Sequence, residues 1–130
     1  QRLVRRLCEY CRKKTAPKRP MQELIRKALE SAPPDLQKRL EPHLQEINVY
    51  QAVGCKECGS SGFSGRLGIF EVLSMTDELA NIILENPSEE EVTKEAKRQG
   101  MITILQDGIT KALEGVTTIE EVLKVAGERI

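Results

Sequence analysis

The chain has 130 residues, which suits one domain or two small pieces sharing a core. Its 20 Lys and Arg cancel its 20 Asp and Glu, and this neutrality argues against bulk electrostatic attraction to nucleic acid or to a membrane surface. With no Trp, two Tyr and two Phe, the core must be aliphatic, and no apolar run approaches the roughly 18 residues that a membrane-spanning helix requires.

The N-terminal stretch is basic: Arg2, Arg5, Arg6, Arg12, Lys13, Lys14, Lys18 and Arg19 stand against Glu9. This reads as a solvated strip or as a surface for an acidic partner or phosphate. There is no signal-peptide pattern. The chain opens in mid-pattern at QRLVRRLC, where Leu3, Val4 and Leu7 have helical spacing; we expect residues 1–8 to be the end of a helix and the chain to be a piece of a longer protein. A basic loop broken by Pro17 and Pro20 follows. MQELIRKALES places Met21, Leu24, Ile25 and Leu29 on one helical face, Pro33 and Pro34 break it, and PDLQKRLEPHL makes a short second helix with proline at its start. This pair carries no chemical motif and reads as a spacer or helical insert.

INVYQAV (47–53) and GRLGIFEVL (65–73) read as strands, and the glycine-rich GCKECGSSGFS between them leads us to expect a hairpin. Four helix signals follow. Thr76 caps a helix running to Glu85 before Pro87. Ser88 with Glu91, Thr103 with Gln106 and Thr118 with Glu121 have capping-box spacing, and Gly100 and Gly115 serve as stops. Leu79, Ile82, Ile83, Val92, Ala96, Leu105, Ile109, Leu113, Val122 and Leu123 are the core candidates of the resulting compact bundle. The expected fold class is mainly α with a small β-hairpin, a four-cysteine zinc module over residues 1–73 being followed by a C-terminal helical subdomain over 74–130.

All four cysteines fall in two CxxC pairs, Cys8/Cys11 and Cys55/Cys58. A CxxC turn can aim two sulfurs at one ion while backbone N–H groups soften their charge, and two such turns complete a closed tetrahedral Zn²⁺ site. Gly54 and Gly59 suit the tight turns this needs. The 43 residues between the pairs (12–54) are long for a simple zinc ribbon and must form a folded excursion. Two disulfides would need an oxidising compartment. A thioredoxin-like site needs one CxxC at a helix start after a strand. The common iron–sulfur spacings differ from these. Zinc is therefore the reading preferred here, in a structural role, and His43 reads as a surface residue rather than a ligand.

There is no GxxxxGK[ST] phosphate loop, no Ser/His/Asp set, no HExxH and no dinucleotide fingerprint. No enzymatic activity is expected of these residues alone.

The order of the motifs carries a resemblance. QRLVRRLCEYC, then YQAVGCKECGSSGFSGRLGIFEVL, then QGMITILQDGITKALEGVTTIEEVLKV resembles the C-terminal portion of the type II secretion and type IV pilus assembly ATPases. Tyr50, Gly54, Cys55, Cys58, Gly62, Gly65, Arg66, Gly68, Ile69 and Glu71 fit that family's pattern, with Phe63 in place of Tyr; residues 15–46 match loosely, and Glu9-Tyr10 stand where a Pro-containing dipeptide is frequent. The resemblance implies a cytoplasmic ATPase, peripheral at the inner membrane, hexameric, and acting on an inner-membrane platform protein. Its ATP- and Mg²⁺-binding parts would lie upstream, its partners would be the rest of the ATPase chain and neighbouring subunits, and assembly or secretion is favoured over retraction. Direct nucleic-acid binding is not expected. The resemblance also points to Arg66, an arginine between two glycines, as a residue reaching nucleotide phosphate or a neighbouring subunit; the plainer reading is a surface arginine paired with Glu71. The alternative for the whole chain is a stand-alone zinc-dependent adaptor binding nucleic acid or protein, motivated by the basic strip and the knuckles.

Overall fold

The computed structural model describes residues 1–127; the last three positions of the expected C-terminal subdomain lie outside the described residues. In chain order the elements are β1 (Arg2–Leu7), β2 (Lys13–Thr15), α1 (Arg19–Glu30), α2 (Pro34–Gln45), β3 (Val49–Gln51), β4 (Phe63–Ile69), α3 (Asp77–Glu85), α4 (Glu89–Arg98), α5 (Ile104–Leu113) and α6 (Ile119–Ala126). The fold class is the expected one, mainly helical with a small antiparallel β part beside a four-cysteine cluster.

Two local expectations are corrected. Residues 2–7 form a strand, not the end of a helix. In extended backbone the odd interval between Val4 and Leu7 turns them to opposite faces, and both are buried (1% and 3% exposed), so no alternation remains to mark the strand. The second correction concerns pairing. The strands before and after the second cysteine pair do not pair with each other: β4 pairs with β1, and β3 pairs with β2, both antiparallel. Each CxxC thus sits between two strands, and the two strand–knuckle–strand units lie side by side with their knuckles level.

The outer edge of β1 is closed by the turn between α5 and α6. The Arg5 N–H donates to Glu121 Oε2 (3.0 Å), the Leu7 N–H to the Val116 carbonyl (2.9 Å), and the Thr117 hydroxyl to the Arg5 carbonyl (2.8 Å). A short exposed strand edge is therefore covered rather than left as a template for pairing.

The helices begin where the sequence signals them. Thr76, Ser88, Thr103 and Thr118 each accept from the backbone N–H three residues on. Only Thr103 with Gln106 completes the reciprocal box. Glu91 turns instead to Lys94 (3.2 Å) and Glu121 to Arg5 (2.7 Å).

The core joins the insert to the C-terminal helices. Ile25, Ala28, Leu29, Leu36 and Leu40 of α1 and α2 pack in one cluster with Leu105, Ile109, Ala112 and Leu113 of α5 and Ile119 and Val122 of α6. Residues 15–46, which read as a spacer, supply about half of the apolar wall. The proline in the first turn of each insert helix, Pro20 and Pro34, is tolerated there because the first-turn N–H has no intrahelical partner to lose. The α3–α4 pair lies outside this cluster. It buries Leu79 and Ala96, while Ile83 stays 45% exposed and Ile82 and Val92 are half-buried.

Candidate metal centre

The two knuckles bring Cys8, Cys11, Cys55 and Cys58 together, with all four Sγ atoms within 4.8 Å of one another. Cys8–Cys55, Cys11–Cys58 and Cys55–Cys58 are each 3.8 Å apart. A tetrahedral ion with Zn–S bonds of about 2.3 Å spaces its sulfurs roughly 3.8 Å apart. The spacing fits a single ion; a cluster of several irons would hold its cysteines further apart. All four cysteines are free, Cys8 buried and the others partly so.

The second knuckle is built for negative charge. The Gly54 N–H points at Cys11 Sγ (3.3 Å), and the Cys55 and Gly62 N–H groups point at Cys58 Sγ (3.2 and 3.1 Å). Glycine is required at 54. Its φ is 110°, and an added Cβ would fall 2.6 Å from the Ser60 carbonyl oxygen. The Ser60 N–H in turn donates to the Cys55 carbonyl (2.8 Å), and the Cys8 N–H reaches across to the Gly62 carbonyl (2.9 Å).

These contacts split the thiols. Burial pushes Cys58 up, but the N–H donors of Cys55 and Gly62 and the neighbouring sulfurs outweigh it and bring it down to about 6. Burial pushes Cys11 up too; there the Gly54 N–H opposes it, the surrounding thiols add to it, and the result is about 11. A divalent ion would displace the thiol protons, because thiolates are the ligands.

The other singled-out residues stand apart. His43 lies on α2, outside the cluster. Arg66 lies on β4, exposed, opposite Arg5 in the ladder, and forms no ion pair among the described residues. Its proposed partner Glu71 instead accepts the Ile104 N–H at the start of α5 (2.8 Å). Sequence reasoning did not single out Arg5 and Arg12, which flank the first knuckle and rest over the rings of Phe63 (4.0 Å) and Tyr50 (5.1 Å) that flank the second. The spacing of those four residues around the two CxxC pairs was the available signal.

Comparison with known proteins gives a consistent result. The model of the Type II/IV secretion system protein family matches residues 1–124. The chain is 39% identical over 123 residues to a type IV pilus assembly ATPase, PilB, of Thermus thermophilus, covering 95% of this chain and 12% of that protein. It is 38% identical over 128 residues to type II secretion system protein E of Pseudomonas aeruginosa, covering 98% of this chain and 22% of that protein. A PilB of Myxococcus xanthus is 35% identical over 125 residues, with 95% of this chain and 20% of that protein covered. The chain therefore spans less than a quarter of the length of these relatives.

Proposed function

This chain belongs to the Type II/IV secretion system protein family, and from that premise we propose that it is the metal-bearing portion of a hexameric cytoplasmic ATPase that powers type II secretion or type IV pilus assembly. In this reading ATP and Mg²⁺ bind upstream residues of the parent protein, neighbouring subunits surround the module, and the motor acts on an inner-membrane platform protein. No helix among the described residues is long and apolar enough to cross a membrane, which is compatible with a peripheral position at the inner membrane. The family match over nearly the whole chain favours this reading over a free-standing adaptor.

The ion we propose is Zn²⁺, held by Cys8, Cys11, Cys55 and Cys58. The observation that carries it is the 3.8 Å spacing of sulfurs drawn from two knuckles. Zn²⁺ has no geometric preference of its own and suits soft thiolates. With four protein ligands the site is closed, so the ion supplies cross-linking, not Lewis acidity. Binding of structural zinc is worth on the order of 10 kcal/mol in small modules. Protein purified without chelator is expected to carry one zinc per chain by elemental analysis, and Cys55→Ser is expected to release it. Metal-free protein with all four cysteines in disulfides would overturn the zinc reading.

Arg66 completes the proposal. Arg66 is exposed beside the second knuckle and forms no ion pair among the described residues; in this reading its guanidinium takes phosphate or carboxylate from a neighbouring subunit, and its planar fork is not reproduced by Lys. In the full-length hexamer Arg66→Lys is expected to lower ATPase turnover about tenfold, roughly 1.4 kcal/mol of transition-state stabilisation, with zinc content unchanged. Unaltered turnover would leave Arg66 a surface residue.

A further inference from the structure

Each end of the first knuckle is bounded by an arginine that touches two other elements at once. Arg5, before Cys8, lies 4.0 Å over the Phe63 ring and holds Glu121 through Nε (3.0 Å), Nη2 (2.7 Å) and its own backbone N–H (3.0 Å). Arg12, after Cys11, lies 5.1 Å from the Tyr50 ring and donates from Nη1 to the Gly115 carbonyl. Phe63 follows the second knuckle and Tyr50 precedes it. Both arginines therefore tie the first knuckle to a strand of the second and to one shared segment, 115–121, made of the α5–α6 turn and the first residues of α6. Between them the Leu7 N–H and the Arg5 carbonyl bond to Val116 and Thr117. The turn is shaped for this contact: Gly115 has φ 82°, and a Cβ there would fall 2.7 Å from Arg12 Nη1 and 3.0 Å from the Tyr50 ring.

We propose that Arg5, Arg12 and Glu121 are positioning residues of the metal centre, and that metal binding is thermodynamically linked to docking of the α5–α6 turn. The inference rests on the zinc reading above. The two knuckles come from distant parts of the chain, and Cys8 N–H to Gly62 is a direct backbone bond between them. The stacked arginines brace this junction at both ends. A splayed junction cannot keep four sulfurs at ligand spacing, so loosening either brace must weaken metal binding. Linkage is reciprocal: whatever factor the docked turn adds to metal affinity, the metal returns to the docking of the turn. Surface arginines with a purely local packing role would leave metal affinity untouched.

The test measures Zn²⁺ affinity of the 130-residue chain by competition with a chromogenic chelator. The variants are Arg12→Ala, Arg12→Lys, Glu121→Gln and Arg39→Ala. Arg39 pairs with Glu114 beside the same turn and serves as the control. Arg12→Lys keeps the charge while losing the planar guanidinium over the Tyr50 ring. Both Arg12 variants and Glu121→Gln are expected to bind at least tenfold more weakly, Arg39→Ala within twofold of the parent, and zinc is expected to slow amide exchange at 115–121 at least tenfold in the parent chain. Affinities within twofold for Arg12→Lys and Glu121→Gln, with helical circular dichroism retained, would overturn this inference alone. A parent chain that binds no zinc would overturn the zinc reading and this inference with it.

Discussion

Two backbone N–H groups point at the Cys58 sulfur and, with the neighbouring sulfurs, bring its thiol down to about 6 against the cost of its burial. Cys11, held at about 11, keeps its proton at neutral pH and must lose it to a metal. Apparent zinc affinity is therefore expected to rise as pH rises toward the Cys11 value, about tenfold per pH unit for each proton displaced, and titration of zinc into weakly buffered protein at pH 7 should acidify the solution. Glu121 is the second residue with a pH signature. Hydrogen bonds from the Arg5 guanidinium hold its carboxyl below the usual glutamate value, against the opposing effect of burial. A depressed folded value means that this contribution to stability is present above the ordinary glutamate range and is lost as pH falls through the folded value. Glu121→Gln should therefore lower the melting temperature at pH 7, and the gap to the parent should narrow as pH falls below the ordinary glutamate range; a gap that stays constant as the solution is acidified would separate the carboxylate from the effect.

Among the elements, the insert differs most from its reading in the sequence. A proline-broken pair with no motif looks dispensable, yet Ile25 and Leu40 are 0% exposed and belong to one core cluster with residues of α5 and α6. Leu→Ala at a site this enclosed costs about 2–5 kcal/mol. Leu40→Ala is expected to fall in that range by urea unfolding and to lower protection in α5 and α6 as well as in α1 and α2. Loss confined to residues 19–45 would mean that the insert folds as a separate unit. The helix caps are a smaller effect. Thr103→Ala removes the one complete box and should cost about 1 kcal/mol, with Ser88→Ala costing less because Glu91 already serves Lys94.

Across the whole molecule, stability is divided by contacts rather than by sequence order. The α5–α6 pair, far from the cysteines along the chain, is bonded to both sides of the first knuckle. The α3–α4 pair, closer in sequence to the second knuckle, buries Leu79 and Ala96 outside the main core. Chelation is expected to raise hydrogen exchange at 2–15, 49–69 and 115–121 while leaving 79–96 little changed, as read by mass spectrometry. Uniform loss of protection would show a single cooperative unit. The chain has no phosphate loop, so ATP turnover above background is not expected from these residues alone; turnover in rigorously purified protein would reveal a nucleotide site built otherwise.

The sequence by itself determined what depends on near neighbours. Cap residues bond to the backbone three positions on, so Thr76, Ser88, Thr103 and Thr118 placed the last four helices before any packing was known. CxxC spacing presents two sulfurs from one turn, so the four cysteines were legible as two half-sites, and the motif order around them carried the family. Tertiary structure alone decided which strand completes which, because a strand's hydrogen bonds point sideways to partners that its own residues do not name. QRLVRRL has helical spacing, yet it is extended here because β4 and the α5–α6 turn satisfy its two edges. For the same reason Thr118-x-x-Glu121 read as a capping box, while the Glu121 carboxylate reaches a residue 116 positions away. Local chemistry offered that carboxylate one partner, and the folded chain supplied a better one in Arg5.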